Sequence, residues 1–178
     1  MGIPTAMITG TPIATTTKAE RPGAGMFDYL RDPAEIYRRS FAAIEAEADV
    51  ARFAGAERAL ALRLIHACAM PEIAADLVMS GDPGAAGKAA LAAGAPILVD
   101  AEMVARGIIA KRLPKNNEIV CTLNGPAVPA RAADMGTTRS AAAVDDWKPH
   151  LKGAVVAVGN APTALFRLLE LLADGADK

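Results

Sequence analysis

The chain has 178 residues, a length that suits one domain with a sizeable core. Its net charge is −1, from 19 basic and 20 acidic residues without a basic cluster, so nucleic acid is a poor partner because phosphate neutralisation needs a positive surface. Two cysteines, Cys68 and Cys121, and two histidines fit neither a disulfide framework nor a standard zinc site, and free thiols suit the cytoplasm.

The first 25 residues have the composition of a disordered tail. Threonines alternate with Pro4, Pro12 and Pro22, and no continuous apolar segment is present. The stretch fits neither a signal peptide nor a membrane span. We therefore expect a folded domain over residues 26–178 and no membrane partner.

Two helices are predicted at the start of this domain. Asp32 is placed to cap the first helix, with Pro33 at its first position, and the apolar pattern continues to about Phe53. The second helix is predicted from Ala56 to about Ala69, after a glycine.

Two polar residues lie on these helices among apolar neighbours. Ser40 is one turn from both Ile36 and Ile44, so its hydroxyl needs a partner, for which the carbonyl of Ile36 is the ordinary choice. His66 follows Leu62 by one turn. On the residues alone it is either a satisfied core or boundary histidine or a catalytic group.

Beyond a turn at residues 71–80, strands alternate with helices. Asp82 is expected to cap an alanine-rich helix that ends at Gly94. The predicted strands are three apolar segments, 96–99, 118–123 and 154–158. Shorter helices are predicted to end at Gly107 and to cover 130–135 and 138–147. The alternation predicts an α/β fold, with a mainly parallel sheet flanked by helices, in a single domain.

The segment 152–173 is expected to organise the sheet. Its apolar run, 154–158, is rich in β-branched residues and predicts a central strand buried on both faces. Gly159 and Asn160 break the run, and Pro162 begins a helix. We expect this turn to present free backbone N–H groups to an anionic ligand at the carboxyl edge of the sheet; the alternative is an ordinary turn capped by Asn160.

Polar residues are concentrated where each strand ends and the next element begins, and we expect them to converge on the carboxyl edge of the sheet. They are Asp100, Glu102, Thr122, Asn124, Thr138, Arg139, Ser140, Asn160 and Thr163. Arg139 could bind a carboxylate bidentately at a helix start, unless it is an ordinary surface arginine. The sequence has no motif typical of a serine hydrolase, a zinc protease, a dinucleotide-binding protein or a P-loop nucleotide hydrolase.

Five stretches, in order along the chain, together form a specific pattern. They are Tyr37–Phe41, Arg63–Cys68, Gly94–Met103, Thr137–Ala142 and Gly159–Leu165. In these stretches, within about residues 29–175, the sequence resembles precorrin-8X methylmutase, also called precorrin isomerase, of cobalamin biosynthesis. The resemblance implies that a methyl group moves from C-11 to C-12 of precorrin-8X, giving hydrogenobyrinate, without a cofactor, a methyl donor or a metal.

The same resemblance implies the roles of individual residues. His66 becomes the expected catalytic group, which protonates a nitrogen of the macrocycle and makes the acceptor carbon more electrophilic. The substrate is an anionic tetrapyrrole, and its expected binding residues are Ser40, Thr122, Arg139, Ser140, Asn160 and Thr163. A cytoplasmic homodimer with sites near its interface is also implied.

The sequence departs from the family pattern at its end, and alternatives remain. Relatives continue beyond the position of Gly175 with a strand, a loop and a terminal helix, so residues 26–178 are expected to lack that C-terminal segment. One alternative function is a non-catalytic corrinoid-binding protein, which would have no use for His66 as an acid. Another is the same isomerisation on cobalt-precorrin-8, and the third is an inactive α/β remnant.

Overall fold

The computed structural model describes residues 27–176, so the predicted tail, residues 1–25, lies outside the described residues. Contacts divide the chain into two compact units, one that ends at Ser40 and one that begins at Phe41 and carries every described strand. The helices are α1 (Pro33–Glu47), α2 (Gly55–Cys68), α3 (Pro83–Ala93), α4 (Glu102–Gly107), α5 (Val128–Asp134), α6 (Arg139–Val144) and α7 (Pro162–Ala173). The strands are β1 (Ile97–Val99), β2 (Ile119–Cys121) and β3 (Val155–Ala157), and 3-10 turns cover Pro71–Ala75, Ala110–Arg112 and Asp145–His150.

The three strands form one parallel sheet in the order β2-β1-β3, which confirms the predicted α/β fold. Leu98 is aligned with Val120 on one side and Val156 on the other. The prediction that 154–158 forms the central strand is wrong, because β1 pairs on both sides and is fully buried while β3 is half-buried. An apolar run indicates that a strand is covered, but it does not fix the position of that strand in the sheet.

The first helix ends earlier than predicted, at Glu47 instead of about Phe53. Val50 and Phe53 are both buried in the same cluster as Ile44. In a continued helix, at about 100° per residue, they would point about 240° and 180° away from Ile44. The helix therefore stops so that these side chains can turn back into the core.

The predicted helix starts and stops are otherwise confirmed. The backbone N–H of Ala34 donates to Oδ1 of Asp32 at 2.9 Å, and that of Ala85 donates to Oδ1 of Asp82 at 2.8 Å. The predicted helix over 138–147 is shorter, because α6 ends at Val144 and a 3-10 turn follows. That turn contains Pro149, which lacks the N–H that a continuing α-helix needs.

Helix α3 packs against α2 at a point where only glycine fits. A Cβ added at Gly84 would lie 2.5 Å from the Cβ of Ala56, whereas one at Gly87 would meet nothing within 4 Å. The backbones of the two helices are therefore close together at Gly84. Since α2 carries His66, this contact helps to fix where that histidine lies.

Two larger hydrophobic clusters hold these elements together. The first joins α1, α2 and the following turns through Ile44, Ala48, Val50, Phe53, Ala61, Ile65 and Ala74. The second joins the sheet to α6 and α7 through Leu98, Val144, Trp147, Leu151, Ala164, Leu168 and Leu171. Among residues 27–176, none of the helices is both long and apolar enough to cross a membrane.

Candidate active site

The carboxyl ends of the three strands lie side by side. Val99, the last residue of β1, is aligned with Cys121 of β2 and with Ala157 of β3. The residues that follow the strands therefore reach one edge of the sheet. A hydrogen bond between Asp100 and the backbone of Asn160 joins two of the predicted polar positions there.

Asp100 occupies the turn that was expected to receive an anionic ligand. Its carboxylate accepts the backbone N–H groups of Gly159 at 3.0 Å, of Asn160 at 2.9 Å and of Ala161 at 2.6 Å. The expectation that this turn presents free N–H groups to a ligand is therefore wrong: the chain supplies its own anion. The alternative of an Asn160 cap is also wrong, because the N-cap residue of α7 is Ala161.

The hydrogen bonds keep the Asp100 carboxyl ionised. Burial raises its pKa, but the backbone N–H donors of Gly159, Ala161 and Asn160 outweigh burial and hold the pKa below its usual value. A carboxylate at this position also matches the partial positive charge at the start of α7. Its negative charge is thus compensated without a cationic side chain.

The start of α6 adjoins the start of α7. Thr138 caps α6, since its Oγ1 accepts the backbone N–H of Ala141 at 3.1 Å, and the same oxygen lies 2.8 Å from Oγ1 of Thr163. Arg139 and Ser140 are the first two residues of α6. Thr163 is therefore bonded to the N-cap of the helix that begins with two other predicted binding residues, Arg139 and Ser140.

The guanidinium of Arg139 differs from those of Arg131 and Arg167, which each pair with a carboxylate. Arg131 pairs with Asp146 at 2.7 Å, and Arg167 pairs with Asp145 at 2.8 Å. Within residues 27–176, Arg139 is exposed and forms no ion pair. A cation without a counter-ion among the described residues is available to a carboxylate ligand.

The end of β2 is joined to α6 through Thr122. This residue is half-buried, and its hydroxyl donates to the carbonyl of Ala143 at 2.8 Å. Next to it, burial raises the pKa of the Cys121 thiol, and the carboxylate of Glu102 adds to the effect. Cys121 is therefore a neutral thiol at neutral pH and a weak nucleophile.

A groove of about 340 Å³ lies between the α5–α6 connection and α7. Its lining residues are Met135, Gly136, Thr137, Ala141, Thr163, Phe166, Arg167 and Glu170. Of these residues, Thr163 was predicted to bind substrate, and Thr137 and Ala141 belong to one of the five stretches of the sequence pattern. Phe166 is a large apolar side chain on α7, and it is 64% exposed. The sequence shows that an apolar residue occupies this position, but it does not show that the side chain is exposed.

His66 lies on α2, beside Phe41, a residue that packs against the first hydrophobic cluster. It is half-buried, and the edge of its ring meets the ring of Phe41 with 5.3 Å between centroids and an angle of 83°. The buried side chain of Ile65 precedes it in the sequence. The structure thus places an imidazole at the boundary of an apolar cluster, as both interpretations of His66 require.

Ser40 lies half-buried on α1, in the unit that ends with it. Its predicted contact with the substrate stays a prediction. Within the part of the chain that the structure describes, no three His, Cys, Asp or Glu side chains are grouped closely enough to hold a metal ion.

Asp100 is the residue whose role sequence reasoning missed. The sequence places it among the polar residues at strand ends but assigns it no partner. Its partners are 59 to 61 residues later in the chain, at the end of a neighbouring strand. An aspartate after one parallel strand and a Gly-Asn turn after another could have indicated this pairing, given the strand order.

Comparison with known proteins identifies a family. A model of the family "CbiC: Precorrin-8X methylmutase" matches residues 35–178. A precorrin-8X methylmutase of a Sinorhizobium species is 57% identical over 152 residues, which cover 85% of this chain and 72% of the relative. One of Pseudomonas aeruginosa is 56% identical over 153 residues, which cover 86% and 74%.

A solved structure agrees with these matches. The crystal structure of precorrin-8X methylmutase from Thermus thermophilus superposes with a TM-score of 0.69 at 42% identity, over 80% of this chain and 69% of that chain. The family match covers the sheet, the polar edge and the helix of His66 in one continuous span. By sequence and by fold, the chain belongs to the precorrin-8X methylmutase family.

Proposed function

We infer that this chain is an isomerase that converts precorrin-8X to hydrogenobyrinate by moving a methyl group from C-11 to C-12, a step of cobalamin biosynthesis. The observation that carries this inference is the identity of 56–57% to two precorrin-8X methylmutases over more than four fifths of the chain. The bond from the methyl group to C-11 breaks and a bond to C-12 forms. Atoms and electrons balance within one molecule, so no co-reactant enters the step.

We propose that His66 is the proton donor for this shift. A proton on a macrocycle nitrogen draws electron density from the ring and makes the acceptor carbon more electrophilic. What supports the proposal is the half-buried position of the imidazole against Phe41, because an apolar boundary suits contact with a large flat ring. Histidine can hold and release a proton near neutral pH.

The carboxylates of the substrate are proposed to bind at the sheet edge. Arg139 is the main candidate, because it is exposed and has no charge partner among residues 27–176. Ser140, Thr163 and Asn160 are proposed as hydrogen-bond partners beside it, and Ser40 as a further contact. To donate a hydrogen bond to the substrate, the hydroxyl of Thr122 would first have to break its hydrogen bond to the carbonyl of Ala143.

The activity is tested by mixing the purified protein with precorrin-8X, recording the absorption spectrum, and then releasing the pigment with denaturant. The released pigment is expected to have the mass of the substrate and the spectrum of hydrogenobyrinate, because the reaction is an isomerisation that extends the conjugation. Unchanged precorrin-8X released from a coloured complex would indicate a corrinoid-binding protein instead. Parallel incubation with cobalt-precorrin-8 tests which form is the substrate; both relatives at 56–57% identity are named for precorrin-8X.

A cytoplasmic homodimer is proposed as well. Both cysteines are free, which suits the cytoplasm. Helix α7 leaves a strip of apolar side chains exposed, with Leu165 at 43% and Leu169 at 52%. Such a strip suits a subunit interface. That the chain has no nucleic-acid partner stays a prediction from its charge balance, and that it has no membrane partner stays a prediction from its apolar pattern.

The homodimer has a direct test. Sedimentation velocity is expected to give twice the mass of one chain at micromolar concentration. Leu169→Glu is expected to move the protein towards monomer, because a carboxylate would be buried in the interface. Glu170→Gln, next to it in sequence, serves as the control and should leave the mass unchanged. A wild-type protein that stays monomeric at every concentration would contradict the proposal.

A further inference from the structure

Asp100 fastens the turn that precedes α7 to the end of β1. The residue is 3% exposed, and its two carboxylate oxygens accept three consecutive backbone N–H groups of that turn. A Cβ added at Gly159 would lie 3.0 Å from Cγ2 of Val104. The turn thus also lies close to an apolar side chain of α4.

Two proposed substrate contacts continue directly from this turn. Asn160 gives its own backbone N–H to Asp100, and Thr163 lies in the first turn of α7 beside Thr138. The N-cap residue, Ala161, has no polar side chain with which to cap the helix. The carboxylate of Asp100 accepts the N–H of this N-cap residue and of the two residues before it, and so fixes how the chain enters α7.

We propose that Asp100 is a positioning residue for the substrate: it holds the turn 159–161 so that the side chains of Asn160 and Thr163 meet the anionic tetrapyrrole. The inference rests on the proposed function and adds a residue to it. Asp100 is an anion and is not itself a contact for the carboxylates of the substrate. Because Asp100 already accepts hydrogen bonds from the N–H groups of the turn, side chains must recognise the substrate at this point.

The test compares substitutions at Asp100 with a matched control. Asp100→Asn keeps the shape, but its amide N–H₂ group would face backbone N–H donors that need an acceptor. Asp100→Ala removes the carboxylate and leaves a space for a small anion such as formate. The control is Asn117→Ala. Asn117 is the other buried polar residue of the described chain, and its amide donates to the carbonyls of Leu91 at 2.9 Å and Ala95 at 2.8 Å, at the amino end of the sheet.

Both Asp100 variants are expected to bind precorrin-8X at least about tenfold more weakly, measured by absorbance titration, which requires no turnover. In kinetics the KM should rise while kcat stays within about threefold, because the proposed proton donor, His66, is untouched. Formate should restore affinity to Asp100→Ala but not to Asp100→Asn. Asn117→Ala should lower the melting temperature and leave KM unchanged.

Two results would overturn the proposal. One is that Asp100→Asn and Asn117→Ala both lower the melting temperature and both leave substrate affinity unchanged, which would make Asp100 merely structural. The other concerns the wild type and does not depend on the variants folding: the amides of residues 159–161 should exchange slowly with solvent, and rapid exchange would show that the clamp is not formed. If the wild type binds but does not convert precorrin-8X, the proposed function fails while the affinity and exchange measurements still decide the role of Asp100.

Discussion

Replacing His66 with alanine is expected to lower the rate of the methyl shift by about 10²–10⁴-fold, the usual contribution of a general acid. The reason is that the shift needs a proton on the macrocycle, and the proposed donor is this imidazole. Binding should change far less, because the proposed carboxylate contacts lie at the sheet edge, on other elements. Single-turnover kinetics with the protein in excess over precorrin-8X measures the rate separately from binding.

A second variant separates catalysis from packing at the same position. His66→Asn keeps a hydrogen-bonding group but has no transferable proton, so it should be nearly as slow as His66→Ala. If His66→Asn is as active per folded molecule as the wild type, His66 is a boundary residue that packs against Phe41.

Replacing Arg139 with alanine is expected to weaken substrate binding by about 1.5–3 kcal/mol, the cost of losing a hydrogen bond to a charged group. Arg139→Lys should recover only part of the loss, because an ammonium lacks the planar fork that binds a carboxylate bidentately. Equilibrium titration of each variant with precorrin-8X, followed by absorbance, measures the change.

The control for this charge is Arg112→Ala. Arg112 is also exposed, but it lies on the connection that returns to the amino end of β2, away from the polar edge. Its removal should leave affinity unchanged, and higher salt should weaken the wild type more than Arg139→Ala. Equal affinities of the wild type and Arg139→Ala would show that this guanidinium is only a surface charge.

Local chemistry explains which parts of the fold could be predicted. Asp32 and Asp82 cap helices through bonds to residues two or three positions away, and Gly94 ends a helix with a φ of +91°. These signals depend on a few neighbouring residues, so a sequence contains them completely. The strand segments were found for the same reason, since a short run of β-branched residues is itself the evidence.

The errors concern choices that depend on distant residues. The apolar segment 154–158 is a half-buried strand because β1 lies in the centre of the sheet. No feature of the segment itself indicates the order of the strands. Helix α1 ends at Glu47 because Val50 and Phe53 join a cluster with residues of α2. The partner of the turn 159–161 is likewise far away in the chain.

Some parts of the candidate site could be predicted from the sequence better than others. Composition and spacing indicated polar residues at one sheet edge, and in the structure Thr163 is bonded to Thr138, the N-cap of the helix that begins with Arg139 and Ser140. The role of His66 came from a resemblance between sequences. Its physical surroundings, an aromatic edge and an apolar cluster, are compatible with catalysis but would not by themselves have selected it.

The close contact between Gly84 and Ala56 has a consequence for how the family can vary. Any side chain at position 84 would push α2 away from α3, and His66, nearly three turns along α2 from Ala56, would move with it. A substitution that touches neither substrate nor histidine could therefore slow the reaction while leaving most of the core intact. Gly87, with open space around it, carries no such constraint, so drift in sequence is tolerated at one glycine of α3 and penalised at the other.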